Sequence, residues 1–221
     1  MYKSYFFLEG PPHSDAFQLT ATQAAHAIAQ ALPTALGYTQ TRTLREQIDD
    51  DALPPYTGIA EVWFANREEA LGSLAQVEAL SELLSPETRS GPIVTGRART
   101  VMRLPEHHQG NFVKGVFGFR RQDRLGISEF QRYWWLNHGP IAARTEGAVY
   151  YLQCHPLTET YSPGTPPFDG ITELHWASVE VARASMASAQ MTRDQSKDAE
   201  NFVEPGSVVL FLAGEEVVIA A

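Results

Sequence analysis

The run 55–64 (Pro-Tyr-Thr-Gly-Ile-Ala-Glu-Val-Trp-Phe) lines up with 167–176 (Pro-Phe-Asp-Gly-Ile-Thr-Glu-Leu-His-Trp) at a spacing of 112 residues. The same spacing, without a gap, sets Tyr38 on Tyr150, Ala70 on Ala182, His26 on His138, and Tyr5-Phe6-Phe7 on Phe117-Gly118-Phe119. So many matches at one register mark a duplication, and a duplication constrains the fold before any single motif does. The polar segment 105–111 shows no apolar period and reads as a surface linker. It separates a unit at 1–104 from a unit at 112–221.

Each unit shows the same element order. In the second, 113–119 is β-branched and aromatic, as a strand should be. Ser128 and Gln131 have the spacing of a capping box, which predicts a helix from Ser128 toward Glu146. Strands follow near 149–153 and 170–176, then a helix beginning near Ser178 and a shorter helical piece over 195–202. A last strand covers 207–212, with room to extend to 219. This is βαββαβ, a ferredoxin-like unit. Its sheet has helices on one face only, and the bare face needs cover. A second copy in the same chain supplies it. The expected fold is therefore α+β, two ferredoxin-like units closing into a pseudo-dimeric α/β barrel.

The formal net charge is −9, and the basic side chains form no cluster beyond Arg120-Arg121, which argues against a nucleic-acid partner. No apolar run approaches the roughly 18 residues of a membrane span. The segment 1–9 reads as a strand rather than a signal peptide, so a cytoplasmic location is expected. One cysteine, Cys154, rules out an intrachain disulfide or a multi-cysteine metal site. His107-His108 lies in the linker, and Cys154-His155 point to opposite faces of a strand, so no metal site is expected. Neither a dinucleotide fingerprint nor a P-loop is present, so neither kind of nucleotide site is expected.

Chemistry must then come from His, carboxylates, Tyr or Trp, or from a bound cofactor. Phe130, Trp134 and His138 are spaced i, i+4, i+8 and share a helix face. Pro140 cannot donate to the Leu136 carbonyl and should distort the helix near His138, helped by Gly139. An imidazole held there among aromatic rings would stay neutral and suit a general base. The plainer reading has His138 merely bonding a freed carbonyl. Tyr133 offers an acid or substrate anchor, and Trp134 with Phe119 a pocket wall. In strand 170–176, alternation puts Glu173 and His175 on one face and Thr172, Leu174 and Trp176 on the other. Glu173 repeats as Glu61, which favours a structural role; Asp169 differs between the copies and is a candidate second carboxylate.

The second half resembles the EthD family of dimeric α/β-barrel proteins. The resemblance rests on Gly115-Val116-Phe117-Gly118-Phe119-Arg120-Arg121, on Ile127-Ser128 with Phe130 and Tyr133-Trp134, and on Asn137-His138-Gly139-Pro140. Phe168-Asp169-Gly170-Ile171 with Glu173-Leu174, and Asp198 with Phe202, extend it over nearly all of 113–219. The first half departs from the pattern, with Ala21, Thr22, Ile28 and Thr57 at the places of Tyr133, Trp134, Pro140 and Asp169. One pocket per chain is expected, in the second half. The resemblance implies a small hydrophobic, oxygenated substrate, aromatic or polyketide-like, handled by a cofactor-independent lyase or dehydratase. His138, Tyr133 and Asp169 would be its catalytic groups, and Phe119, Trp134 and Glu173 would hold the substrate. It also leaves open an oxidative enzyme (a monooxygenase, a haem-related barrel or an ether-degradation component), or a non-catalytic ligand-binding accessory. The fused units can still pair as a homodimer.

Overall fold

The strands, in chain order, are β1 (Tyr2–Glu9), β2 (Gly37–Thr43), β3 (Gly58–Phe64), β4 (Arg89–Met102), β5 (Val113–Phe119), β6 (Tyr150–Pro156), β7 (Gly170–Trp176) and β8 (Val209–Ile219). They are seen in a computed structural model that describes residues 1–12, 14–49, 51, 53–76, 83–103, 112–162 and 164–220. The expected linker at 105–111 lies outside the described residues. The strands close into a barrel in the order β1-β3-β2-β8-β5-β7-β6-β4, each paired antiparallel to its neighbours. Each half contributes a ferredoxin-like sheet, β4-β1-β3-β2 and β8-β5-β7-β6. The halves meet where β2 pairs with β8 and β4 with β6. The expected architecture is the observed one.

Strand alternation sorts the side chains into two layers. Tyr5, Phe7, Ile59, Val116, Ile171 and Phe211 point inward and form one core. Phe6, Leu8, Ala60 and Val62 point outward and pack against α1 (Ala21–Ala31) and α2 (Arg67–Gly72). In the second half the outer layer is α3 (Ile127–Tyr133), α4 (Gly139–Ala142), α5 (Val179–Ala187) and α6 (Ser196–Ala199). α1 starts at Thr20, whose side chain forms a capping box with Gln23. The box expected at Ser128 is absent: Gly126 is the N-cap, and the Gln131 amide instead donates to the Pro156 carbonyl at 2.8 Å.

The strand pairings refine the repeat. Lys3 faces Trp63 and Lys114 faces His175. Trp63 and His175 are 112 residues apart, so the equivalent of Lys3 is Lys114, at a spacing of 111. Tyr38 pairs with Val62, while Tyr151 pairs with Leu174, so Tyr38 corresponds to Tyr151 rather than Tyr150. The single spacing is right for β3 and β7 and one residue out for the flanking strands. Pairing pins the strands, and the loops absorb insertions.

Gly170 shows how closely the outer layer is packed. A Cβ there would lie 2.7 Å from the Phe119 ring and 3.0 Å from that of Trp134. Gly170→Ala should therefore destabilise the protein by about 1–3 kcal/mol through overpacking. Urea denaturation would show a lowered midpoint with an unchanged slope; an unchanged midpoint would mean the rings yield freely.

Candidate active site

The helix predicted over 128–146 is broken into three pieces. After α3, a wide π turn occupies Trp134–His138, and α4 resumes at Gly139. Pro140 has no N–H for the Leu136 carbonyl and its ring would press against that carbonyl, so a regular α-helix cannot run through. The chain takes one extra residue per turn: the Gly139 N–H reaches the Trp134 carbonyl, five positions back. The Gln153 amide donates to the same carbonyl at 3.1 Å and braces the turn from β6. The distortion expected near His138 is present as a widened turn rather than a bend.

The π turn delivers His138 to a cavity of about 270 Å³ between the outer face of β5, β6 and β7 and the helices. Phe117, Phe119, Trp134, Leu174 and Phe202 make it apolar, with Tyr151 and Thr172 on its sheet side. Met186 and Met191 close it from α5 and from a second π turn, Gln190–Gln195. The aromatic walls are mutually packed: Phe119 meets Trp134 edge-on with centroids 5.1 Å apart, and Phe202 lies 4.9 Å from the His138 ring.

Asp198 organises the polar edge. One carboxylate oxygen lies 2.9 Å from His138 Nδ1, and the other accepts the Tyr133 hydroxyl at 2.8 Å. A carboxylate at Nδ1 holds the proton on that nitrogen and leaves the Nε2 lone pair free. Burial lowers the His138 pKa from its ordinary value, although Asp198 pulls it back up. The ring is therefore neutral at pH 7, with its orientation set by Asp198. Tyr151 is the second polar group of interest. Its hydroxyl accepts from the Gln153 amide at 2.6 Å, which leaves its own proton to donate. Burial raises its pKa to about 12, so it stays protonated.

The structure distributes the sequence candidates over three places. His138, Trp134 and Phe119 line the cavity, and Tyr133 stands behind it as a partner of Asp198. Asp169, by contrast, is fully buried elsewhere: it accepts the Arg121 backbone N–H at 3.0 Å and the Tyr161 hydroxyl at 2.7 Å, with Arg120 Nε at 3.3 Å. It ties the exit of β5 to the entry of β7. Glu173 sits inside the barrel, where Lys3 lies at 2.5 Å and Lys114 at 3.2 Å. Burial works against its charged form, but the two lysines outweigh that and hold its pKa below the usual carboxylate range. His26 is exposed on α1 and bonds Gln30. It stands six residues past its N-cap and His138 twelve past its own, so Leu32 takes the equivalent place. Asp198, Tyr151 and Gln153 went unassigned in the sequence. For Asp198 the family-like pairing with Phe202 was a signal; for Tyr151 and Gln153 the signal was their equivalence to Tyr38 and Gln40, hidden by the one-residue shift.

Residues 122–206 match the family described as EthD domain. The matched stretch covers most of the second half of this chain. No curated protein sequence matches the chain at a significant level. Among solved structures, an anthrone oxidase-like protein superposes with a TM-score of 0.57 at 11% identity, covering 98% of this chain and 93% of its own. A mutant chlorite dismutase from Candidatus Nitrospira defluvii gives 0.53 at 13% identity, over 96% and 90%. A provisionally assigned monooxygenase from Lactobacillus acidophilus NCFM gives 0.52 at 11%, over 98% and 94%. These likenesses establish the fold of the whole chain as that of a dimeric α/β barrel. They also correct the expectation of a lyase or dehydratase, because the proteins that share the whole barrel are described in terms of oxidative chemistry. Among the described residues no helix is long and apolar enough to cross a membrane.

A haem-related barrel was one expectation, and the cavity can be tested for it. His138 Nε2 could serve as an axial ligand. The cavity, however, is below the ~300–1,000 Å³ of ordinary small-molecule sites. None of its described lining residues is an Arg or Lys that could meet a macrocycle's carboxylates. The described residues that line this cavity therefore offer no cationic partner for haem carboxylates.

The buried imidazoles make stability depend on pH. Burial also lowers His175 to about 4 and His155 to about 3. Unfolded imidazoles take up protons near 6.5 while these folded ones do not, so acid favours the unfolded chain. Glu173 and Glu215, held low by the lysines, add a loss of the same sign at lower pH; Glu61, whose pKa burial raises, opposes it. The unfolding free energy should be level between about pH 7 and 8 and fall steadily from about 6.5 downward. Denaturation at a series of pH values checks this, and a profile level down to pH 5 would contradict it.

Proposed function

We propose that the chain is an oxidative enzyme that uses dioxygen on a small aromatic or enolisable substrate, with His138 as general base. The observation that carries this is the Asp198–His138 pair at the edge of an apolar cavity. Similarity of the whole barrel to an anthrone oxidase-like protein and to a provisionally assigned monooxygenase supports it.

The chemistry follows from the groups present. His138 Nε2 removes a proton from a C–H acidified by a neighbouring carbonyl or ring. The developing oxyanion accepts a hydrogen bond from the Tyr151 hydroxyl. Asp198 stabilises the imidazolium while the proton resides there. The resulting electron-rich carbanion reduces dioxygen within walls that exclude water. For a methylene, one dioxygen is consumed: one of its oxygen atoms becomes the new carbonyl oxygen, and the other leaves as water with the two methylene hydrogens. Dioxygen is the sole oxidant in this balance. An apolar cavity favours both the neutral base and an apolar co-substrate.

Oxygen uptake with anthrone and related enolisable aromatic ketones tests the proposal. His138→Ala should lower kcat/KM by about 10²–10⁴-fold, the usual worth of a general base. The rate should rise with pH through an apparent pKa below 6.5 and then level off, because the neutral ring is the active form. Asp198→Asn removes the charge that raises this pKa, so the acid limb should move to lower pH and kcat should fall. Uptake that is indifferent to His138→Ala would sink the assignment.

A further inference from the structure

The inner face of the barrel holds a cluster separate from the cavity. Lys3, Lys114, Glu61 and Glu173 are all essentially buried, and Glu215 is 24% exposed. Three carboxylates against two ammonium groups leave one negative charge in excess. His175 stands beside this cluster. It is 5% exposed, and neither ring nitrogen has a hydrogen-bond partner. Burying an unpartnered imidazole costs free energy, and such a group in a native protein calls for an explanation.

Its position supplies one. Nε2 of His175 lies 4.0 Å from Glu173 Oε2 and 3.9 Å from Glu215 Oε2, too far for hydrogen bonds. The three donor atoms lie within 4.8 Å of one another. Ligands about 2.0–2.2 Å from a shared cation stand roughly 3–3.5 Å apart, so closure needs side-chain movements of under about 1 Å. We propose that Glu173, His175 and Glu215 bind a divalent transition-metal cation, with borderline N/O ligands of the kind zinc accepts.

The neighbouring charges are compatible with this. Lys114 engages Glu215 through Oε1 and shares Glu173 Oε2 at 3.2 Å, while Lys3 and the Tyr5 hydroxyl use Glu173 Oε1. Glu215 Oε2 is left to the metal, and a carboxylate oxygen has a second lone pair for Glu173 to offer. Tyr150 flanks the ring at a centroid distance of 4.8 Å without bonding it. The partial exposure of Glu215 gives the ion a way in. The site joins β7 to β8 across β5, which lies between them. It differs from the cavity because Thr172 and Leu174 on the same strand face the other way. No metal site was expected from the sequence, where Glu215 stands 40 residues from His175.

The test uses full-length protein stripped with chelator and then given Zn²⁺ alone. One zinc per chain should survive gel filtration, and the thermal midpoint should rise by several degrees, since a ligand that binds only the native state stabilises it. His175→Gln and Glu215→Gln should each weaken zinc at least about tenfold and remove the thermal shift. Glu215→Gln replaces a partly exposed group and keeps a hydrogen-bonding side chain, so it stays informative if His175→Gln does not fold. No retained zinc, or zinc retained equally by the Glu215→Gln variant, would overturn the site.

Discussion

The barrel depends on charges that cross between its halves. Lys3 of the first half lies 2.5 Å from Glu173 of the second, and Lys114 of the second lies 2.8 Å from Glu61 of the first. Lys3–Glu61 and Lys114–Glu173, the corresponding contacts within each half, are longer at 3.4 and 3.2 Å, and Lys114 also meets Glu215 of its own half. Buried ion pairs contribute little net stability, because desolvation offsets much of their attraction. Their effect is selective. A slip of one residue in β1 or β5 would turn a lysine out of the barrel and strand a carboxylate inside it. These pairs therefore hold the two sheets in one register, as an interface does between separate subunits.

The inner face carries the charged cluster, and the apolar cavity lies on the other side of the sheet, in the outer layer. Alternation along β7 separates the two: Glu173 and His175 face the interior, while Thr172 and Leu174 face the cavity. The halves differ in what their helices bring to the sheet. α1 runs regularly and presents Ala24, Ile28 and Leu32, which fill the space with a solid core. The second half presents Phe130, Trp134 and His138, and its two π turns leave room for a cavity. The two copies of the fold thus differ: the helix of the first packs against its sheet, and the helices of the second enclose a cavity.

Asp198 illustrates how the candidate site is assembled. It lies 60 residues from His138, on α6, and reaches it only because that helix folds back against the π turn. Tyr133, proposed from sequence as an acid or anchor, turns out to hold Asp198 from the far side. The imidazole therefore has a defined tautomer and a low pKa together, the combination that a base acting at neutral pH requires. The Gln153 amide links the Trp134 carbonyl to the Tyr151 hydroxyl, so the backbone distortion and the polar wall of the cavity share one support.

The sequence by itself determined the duplication, the βαββαβ order, the inward and outward faces of β7 and a disturbed helix at His138. All of these rest on short-range regularities: strand period, helix spacing and the missing proline N–H. It misplaced the first helix, pairing His26 with His138, because one ungapped spacing cannot follow loops of different length. Tertiary structure alone decided that Asp169 is a tie between strands and that Glu173 belongs to the barrel interior. It alone brought Asp198 to His138, Tyr151 to the cavity and Glu215 to His175. Those placements depend on which strands become neighbours when the sheets close, and closure is a property of the whole chain that no local pattern records.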